Sequence, residues 1–203
     1  MPTARFYRLP EEKKKAIRDA AIREFIRVPY EKASINKMIQ SADISRGSFY
    51  TYFEDKADVL SFILQDTKSK GKELAIELLK ESQGDIWEMF HGLLQQGLKY
   101  CSNHDVFQLF RNVATYPEVE QILRRECETD DGMGAWIRKY VDTSNLCSPD
   151  DEGMHDIMTI GCGILGEAIG QFYKNGASLD EVNRVFTRRL EILKRGASKN
   201  IQD

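Results

Sequence analysis

Hydroxyl groups, phenols and cations are concentrated in the stretch SADISRGSFYTYFEDK, which runs from Ser41 to Lys56. Hydroxyls and backbone N–H groups bind phosphate oxygens, and the guanidinium of Arg46 can bind a phosphate or the edge of a guanine base. Ser45 and Gly47 flank that arginine at a predicted helix start, where exposed N–H groups favour an anion. The stretch is therefore typical of a surface that binds nucleic-acid phosphates.

The elements that must position these side chains are three helices near the N-terminus. Apolar spacing predicts helices over about 11–27, 35–42 and 46–52, and Ser34 and Ser45 are suitable N-caps for the second and third. A tight turn at Asp43–Ile44 joins the two short helices, and its first position needs a left-handed backbone that Asp tolerates. Two short helices and a tight turn after a longer helix predict a helix-turn-helix.

The two faces of the third helix are expected to differ. Phe49 and Phe53 are four residues apart, so they share a face and are predicted to pack against the first helix. The side chains left to point outward are Ser48, Tyr50, Thr51 and Tyr52.

The rest of the chain predicts longer helices and no convincing strand. Asp55 can cap a long fourth helix that joins the two parts without a flexible linker, and Asn175-Gly176 is a helix-stop signal. A loop is expected over 142–151, which is rich in turn residues. The later helices are predicted over about 85–102, 104–116, 118–141, 152–174 and 179–195. The fold class is therefore all-α with about nine helices, divided into a helix-turn-helix domain over 1–54 and a larger helical domain over 55–203.

Composition supports a packed protein with an uneven charge distribution. Hydrophobic residues make up 41% of the 203 residues, which excludes global disorder. Residues 1–56 carry 12 Lys/Arg and 8 Asp/Glu, a net charge of +4, whereas the remainder carries −7. A basic head on an acidic body favours a polyanionic partner for the head, although ordinary scatter of surface charge gives the same numbers.

Other sequence features bear on location and redox chemistry. No apolar run approaches the ~20 residues of a membrane span, and the start lacks a signal-peptide core, so a cytoplasmic protein without a membrane partner is expected. The four cysteines, Cys101, Cys127, Cys147 and Cys162, are far apart and are expected to be free thiols. Neither a metal nor a cofactor is predicted.

The run SINKMIQSADISRGSFYTYFEDKADVL, from Ser34 to Leu60, resembles the N-terminal signature of the TetR (tetracycline repressor) family of bacterial regulators. Family members usually carry Gly where this chain has Asp43 and Ala where it has Ile39. The resemblance implies that the head binds double-stranded operator DNA. The residues that it places on DNA are Ser34, Asn36, Lys37, Ser45, Arg46, Gly47, Ser48, Tyr50, Thr51, Tyr52 and Lys56. Partial burial is the alternative for Tyr50 and Tyr52, and plain solvation is the alternative for Lys37.

The resemblance also implies a homodimer formed by the last two helices. The helix over 152–174 is apolar on more than one face and keeps Gly161, Gly163, Gly166 and Gly170, which each cost about 1 kcal/mol of helix propensity. Both features favour close burial on two sides. A core helix of a monomer would show the same pattern. The predicted interface residues are Ile157, Ile160, Gly161, Ile164, Leu165, Ala168, Phe172, Val182, Val185, Phe186, Leu190 and Leu193.

A small-molecule pocket between the middle helices is the third implication. Most of its candidate residues are aromatic, which would suit a hydrophobic or planar effector, but aromatic residues at helical spacing are more often plain core. The candidates are Trp87, Phe90, His91, Phe107, Phe110, Tyr116, Trp136, Met158, Cys162 and Glu167. Ligand binding is expected to shift the fourth helix and release the operator, as in a ligand-responsive repressor.

Three alternatives are open. An enzyme is disfavoured because His91, His104 and His155 lack metal-ligand spacing and because no nucleophile or phosphate-loop motif is present. A regulator without a small-molecule effector could respond to a protein partner, or to oxidation at Cys101 or Cys147. An interaction module that has lost DNA binding is disfavoured by the intact surface from Arg46 to Lys56.

Overall fold

The computed structural model describes residues 2–101, 103–113 and 137–199, and side chains are described for all of these except Cys101 and residues 173–175. The described residues form α-helices and two 3₁₀ turns, Tyr30–Lys32 and Ile137–Lys139, with a single isolated β-bridge. The all-α fold class is confirmed. The helices are α1 Ala4–Tyr7, α2 Glu11–Arg27, α3 Ile35–Ser41, α4 Arg46–Tyr52, α5 Lys56–Glu81, α6 Ile86–Cys101, α7 His104–Val113, α8 Asp151–Asn175 and α9 Leu179–Ala197.

Local capping fixes several helix ends where the sequence predicts them. The Ser45 hydroxyl accepts from the N–H of Ser48 at 3.0 Å, which starts α4, and Ser178 caps α9 in the same way. Gly176 ends α8 in the left-handed conformation, with φ 64°. These ends follow from side chains close in sequence, so they are predictable without the tertiary structure.

The structure differs from the predicted helices in two places. The short helix α1 was not predicted. The helix predicted over 118–141 lies outside the described residues up to position 136, and its last part is a 3₁₀ turn followed by irregular chain rather than α-helix. The helix cannot continue there, because the N–H of Asp142 donates to the Gly84 carbonyl at 2.9 Å instead of to its own chain four residues back.

The chain divides into two compact units. The described part of the first unit comprises residues 2–69 and 103–113, and that of the second comprises residues 70–101 and 137–199. Helix α5 contributes residues to both units. This division by contacts differs from the predicted functional boundary after residue 54, which stays a prediction.

The first unit is built on buried aromatic rings. Phe6, Phe25, Phe49 and Phe53 are at most 1% exposed, so the inward face predicted for α4 is confirmed. Helix α2 packs against α3 and α7. The Asn112 side-chain amide donates to the carbonyls of Phe25 and Ile26, which joins α7 to the end of α2.

The second unit has a separate core in which α8 packs against α6 and α9. Phe90 on α6 is fully buried and lies against Gly161 on α8. A Cβ atom at Gly161 would lie 2.2 Å from the tip of the Phe90 ring, whereas a Cβ at Gly163 would meet nothing within 4 Å. Close approach to a ring of the same chain is therefore the reason for glycine at position 161.

These two glycines allow a matched stability test. We expect Gly161→Ala to lower the free energy of unfolding by about 1–3 kcal/mol, because the new methyl group overpacks the Phe90 ring. Gly163→Ala is expected to raise it by up to about 1 kcal/mol, because alanine is the better helix former. Urea unfolding followed by circular dichroism measures both. Equal effects of the two substitutions would contradict this packing.

No helix among the described residues is long and apolar enough to cross a membrane. Nor do the described side chains include a group of three or more His, Cys, Asp or Glu residues that could hold a metal ion.

Candidate nucleic-acid interface

The turn between α3 and α4 has the conformation that the sequence predicts. Asp43 adopts φ 51°, in the left-handed region. The chain closes the turn with a hydrogen bond from the N–H of Ile44 to the Ile39 carbonyl at 3.2 Å. The helix-turn-helix is therefore formed with Asp in place of the glycine that is usual at its first turn position.

The start of α4 presents short polar groups to solvent. Ser45, Arg46 and Gly47 are exposed, and the hydroxyls of Ser45 and Ser48 are 2.8 Å apart. A Cβ atom at Gly47 would meet only the Ser45 hydroxyl, at 3.9 Å, so packing within the chain does not require glycine there. An external backbone that comes close to this turn would be a reason for it.

Arg46 is held by two neighbours on the exposed surface. Its guanidinium donates to the Asn36 side-chain oxygen at 3.1 Å and lies 5.6 Å from the centre of the Tyr50 ring. Tyr50 is 48% exposed. Asn36 comes from α3, whereas Arg46 and Tyr50 come from α4. The two helices therefore cooperate to orient one cation towards solvent.

Thr51 and Tyr52 are less available than the sequence suggests. The Thr51 hydroxyl donates to the Gly47 carbonyl at 2.8 Å, so the same hydrogen cannot also be donated to a phosphate. Tyr52 is half-buried, with its ring centre 6.2 Å from that of Phe6. The DNA contacts of these two residues remain predictions.

Lys56 has partners inside the protein. Its ammonium group donates to the carbonyls of Tyr30 and Glu31 at 2.8 and 2.9 Å, and lies 4.7 Å from the centre of the Tyr30 ring. An ammonium group has three donors, so one is left for a phosphate. In the structure, Lys56 fastens the start of α5 to the turn before α3, and its predicted phosphate contact stays a prediction.

Sequence reasoning missed a buried carboxylate behind this surface. Glu24 is 5% exposed and accepts two hydrogen bonds from Arg27, at 2.8 and 2.7 Å, and one from the Ser34 N–H at 2.9 Å. The Ser34 hydroxyl does not cap α3, contrary to the capping prediction; its backbone N–H is bound by Glu24 instead. Glu24 thus ties the end of α2 to the start of α3.

Opposing effects act on the ionisation of Glu24. Burial alone raises the pKa of this carboxyl group, but the hydrogen bonds from Arg27 and Ser34 and the positive charges of Arg27 and Lys37 lower it, and the net pKa is below the ordinary value. The carboxylate form is therefore the one that the native structure favours. Lys37 is exposed, and its charge acts on Glu24 from α3.

The predicted pocket residues fall into different environments. Trp87, Phe90 and Met158 are buried in the core of the second unit. The His91 ring stands edge-on to Phe186 with centres 5.5 Å apart, and Cys162 is half-buried. These residues line the same core, and a ligand site among them stays a prediction.

The other pocket candidates lie elsewhere. Phe107 and Phe110 are half-buried on α7, in the first unit. Glu167 is exposed on α8 and forms an ion pair with Arg189 at 2.7 Å. Tyr116 and Trp136 lie outside the described residues.

About half of the predicted interface residues are buried within a single chain. This group consists of Ile157, Gly161, Ala168, Val182, Phe186 and Leu190. The others keep exposed surface: Ile160 is 51% exposed, and the half-buried ones are Ile164, Leu165, Phe172, Val185 and Leu193. An open apolar groove between α8 and α9 is lined by Ile160, Ile164 and Leu193, and also by Ile192, which is 67% exposed and was not predicted.

Two family models match successive parts of the chain. A family model described as "Bacterial regulatory proteins, tetR family" matches residues 17–61, and one described as "Tetracyclin repressor-like, C-terminal domain" matches residues 85–197. The transcriptional regulator AcrR of Shigella flexneri is 31% identical over 84 residues, which cover 41% of this chain and 39% of AcrR. The matched part of this chain thus spans about two fifths of the length of that curated relative.

Solved structures show the same fold at lower identity. SmeT, the repressor of the multidrug efflux pump SmeDEF of Stenotrophomonas maltophilia, has a TM-score of 0.57 at 15% identity, with 93% of this chain and 91% of SmeT covered. FadR of Bacillus subtilis, in complex with stearoyl-CoA, has a TM-score of 0.55 at 17% identity, with 89% and 97% covered. Because the repressor-like C-terminal model alone matches more than half of the residues, the chain belongs to the TetR family of bacterial transcriptional regulators.

Proposed function

We propose that this protein is a transcriptional repressor that binds a near-palindromic operator as a homodimer and releases it when a small hydrophobic molecule binds the C-terminal domain. The observation that carries the proposal is the exposed cation of Arg46, held by Asn36 and Tyr50 beside the start of α4. As a regulator that binds chromosomal DNA, it would act in the cytoplasm.

In this proposal each polar group of the head has a distinct task. The hydroxyls of Ser45 and Ser48 and the N–H groups at the start of α4 bind phosphate oxygens, which fixes the register. Arg46 presents its fork of donors to a guanine edge in the major groove. Asn36 keeps that fork oriented before DNA arrives, so less side-chain freedom is lost on binding.

The dimer would use the groove between α8 and α9. Ile160 and Ile192 expose large apolar surface there, which a second copy would remove from water. A two-fold dimer presents the same surface twice, so its operator would be near-palindromic with half-sites about 34–36 Å apart, or a multiple of that distance.

The effector would be a hydrophobic or aromatic molecule. FadR was solved with stearoyl-CoA, and the core of the second unit of this chain is apolar and includes Trp87, Phe90 and Met158. The effector can release the operator only if it binds the DNA-free state more tightly than the DNA-bound state. Saturating effector that left operator affinity unchanged would exclude that molecule as an inducer.

Footprinting of the DNA upstream of the protein's own gene, over a salt series, tests the proposal. We expect a protected near-palindrome that weakens as salt rises, because phosphate contacts release counterions. Ile160→Asp is expected to weaken protection by about tenfold, because it places a charge in the dimer groove. Gln96→Asp is the matched control, since it adds the same charge at an exposed position on α6.

The outcomes separate the parts of the proposal. A symmetric footprint that Ile160→Asp weakens and Gln96→Asp leaves intact supports a dimeric repressor. If neither Ile160→Asp nor Gln96→Asp weakens the protection of DNA, the dimer contact lies elsewhere. No protection anywhere on a genome-wide DNA pool would overturn the DNA-binding function.

A further inference from the structure

Residues 2–9, called here the N-terminal brace, fold back onto the end of α4. The backbone N–H of Thr3 donates to the Tyr52 carbonyl at 2.9 Å, and its hydroxyl donates to the Thr51 carbonyl at 2.8 Å. The last carbonyls of a helix have no partners within the helix. Thr3 therefore supplies two donors to the C-terminal end of the helix that carries Arg46.

A buried ring anchors the brace. Phe6 is fully buried, with ring centres 4.7 Å from Phe53 at the end of α4 and 4.8 Å from Phe62 on α5. The Tyr7 hydroxyl donates to the Gln65 side-chain oxygen at 3.2 Å. The brace thus links the end of α4 to the first turns of α5 within the first unit.

Helix α4 needs such external contacts. It has seven residues, and an isolated helix of two turns is not stable in water. Its start is fixed by the Ser45 cap and by packing of Phe49 in the core. At its end, Phe53 is buried in the core and Thr3 donates to the last two carbonyls. The direction of the helix axis therefore depends on the contacts at both ends.

We propose that the N-terminal brace sets the position of α4 for operator binding, and that Thr3 and Phe6 are positioning residues rather than DNA contacts. This inference rests on the proposed DNA-binding function. Loss of the Thr3 hydroxyl would leave the fold intact but would let the end of α4 fray, so that Arg46 and Tyr50 would meet the groove in a wider range of orientations.

Thr3→Val and Thr3→Ser in the full chain provide the test, because valine keeps the shape of threonine and serine keeps its hydroxyl. We expect Thr3→Val to raise the dissociation constant for the operator by about fivefold, the size of one lost hydrogen bond. The salt dependence should stay unchanged, the melting temperature should fall by no more than about 2–4 °C, and Thr3→Ser should bind like the wild type.

Three results would overturn the positioning role. Unchanged operator affinity in Thr3→Val would show that the hydroxyl does not matter. A loss of affinity in Thr3→Val with wild-type amide exchange at the end of α4 would make the Thr3 hydroxyl a direct DNA contact instead. A loss of affinity that accompanies an equal loss of thermal stability, without rescue by serine, would make it a general structural residue.

Amide hydrogen exchange without DNA keeps this inference separate from the proposed function. In Thr3→Val the N–H groups at the end of α4 should exchange about fivefold faster than in the wild type, and in Thr3→Ser at the wild-type rate. Exchange that is equal in all three proteins would overturn the brace, whether or not DNA is bound. If Thr3→Val exchanges faster but the wild type binds no DNA, the hydrogen bond from Thr3 is real and only its role in operator binding is overturned.

Discussion

Replacing Arg46 with alanine is expected to weaken operator binding by roughly thirtyfold or more. A bidentate contact between arginine and guanine contributes about 1–3 kcal/mol of discrimination, and a two-fold dimer makes it twice. In the structure the Arg46 guanidinium is exposed, and the two neighbours described for it, Asn36 and Tyr50, are themselves exposed, so its removal leaves the core unchanged. Electrophoretic mobility shift at fixed salt measures the effect.

Two further variants distinguish the chemistry of Arg46 from its charge. Arg46→Lys keeps the positive charge but loses the planar fork, so it should bind nearly as weakly as Arg46→Ala if the arginine contacts a base. It should recover much of the affinity if the arginine contacts a phosphate. Arg111→Ala is the matched control, because it removes an exposed arginine of α7 from the same unit without touching the predicted interface.

The base preference of Arg46→Ala at each operator position distinguishes a base contact from a phosphate contact. Loss of a base contact relaxes specificity at one position in each half-site and leaves the salt slope nearly unchanged, whereas loss of a phosphate contact lowers the slope. Wild-type affinity in Arg46→Ala, or an equal loss in Arg111→Ala, would contradict the assignment of Arg46 to the DNA surface.

The parts of the fold that depend on local chemistry could be predicted from the sequence. Ser45, Ser178 and Gly176 set helix ends through neighbours within three to five residues, and Asp43 sets the turn through its own backbone. The inward face of α4 follows from the spacing of its two phenylalanines. Each of these features needs only a short stretch of chain to decide it.

Features that depend on distant partners were missed or assigned differently. Helix α1 has four residues, too few to show a helical period, and it is held by Phe6 and Thr3 on partners about 50 residues away. The family resemblance places Lys56 on DNA, but its ammonium group uses two of its three donors on two carbonyls of a turn that is distant in sequence. Gly161 serves a ring on another helix, which spacing within α8 cannot reveal.

The burial of Glu24 could have been predicted from helical spacing. Glu24 lies three residues after Ala21 and seven after Ile17, and both of these are buried, so helical spacing places it on the apolar face of α2. A carboxylate on such a face requires partners that satisfy its charge. Arg27, one turn further along, was the local candidate.

Substitution of Glu24 by glutamine is expected to lower the free energy of unfolding at neutral pH by about 1–3 kcal/mol, because a buried acceptor loses its charge while its donors stay in place. The side chain of the variant has nearly the same size, so cavity formation does not contribute. For a chain of this length the melting temperature should fall by roughly 2–4 °C per kcal/mol. Glu31→Gln, at an exposed position in the turn before α3, should change stability by less than about 0.5 kcal/mol.

The pH dependence of this difference tests the cause. The pKa of Glu24 is lower in the folded protein than its ordinary value. Its ionised form therefore stabilises the native state fully above the unfolded pKa, and this contribution is lost as pH falls through the folded pKa. The stability gap between wild type and Glu24→Gln should accordingly narrow in acid, whereas the gap for Glu31→Gln should stay small throughout.

A gap that stays constant or widens in acid would mean that Glu24 acts through shape and not through charge. If the stability gap between wild type and Glu24→Gln narrows in acid, a carboxylate joins the end of α2 to the start of α3. Glu24→Gln should then also loosen the start of α3. Asn36 lies in the first turn of α3 and orients Arg46, so operator binding at neutral pH should weaken together with stability. Because Glu24 is buried, salt should screen its effect on unfolding much less than it screens the phosphate contacts.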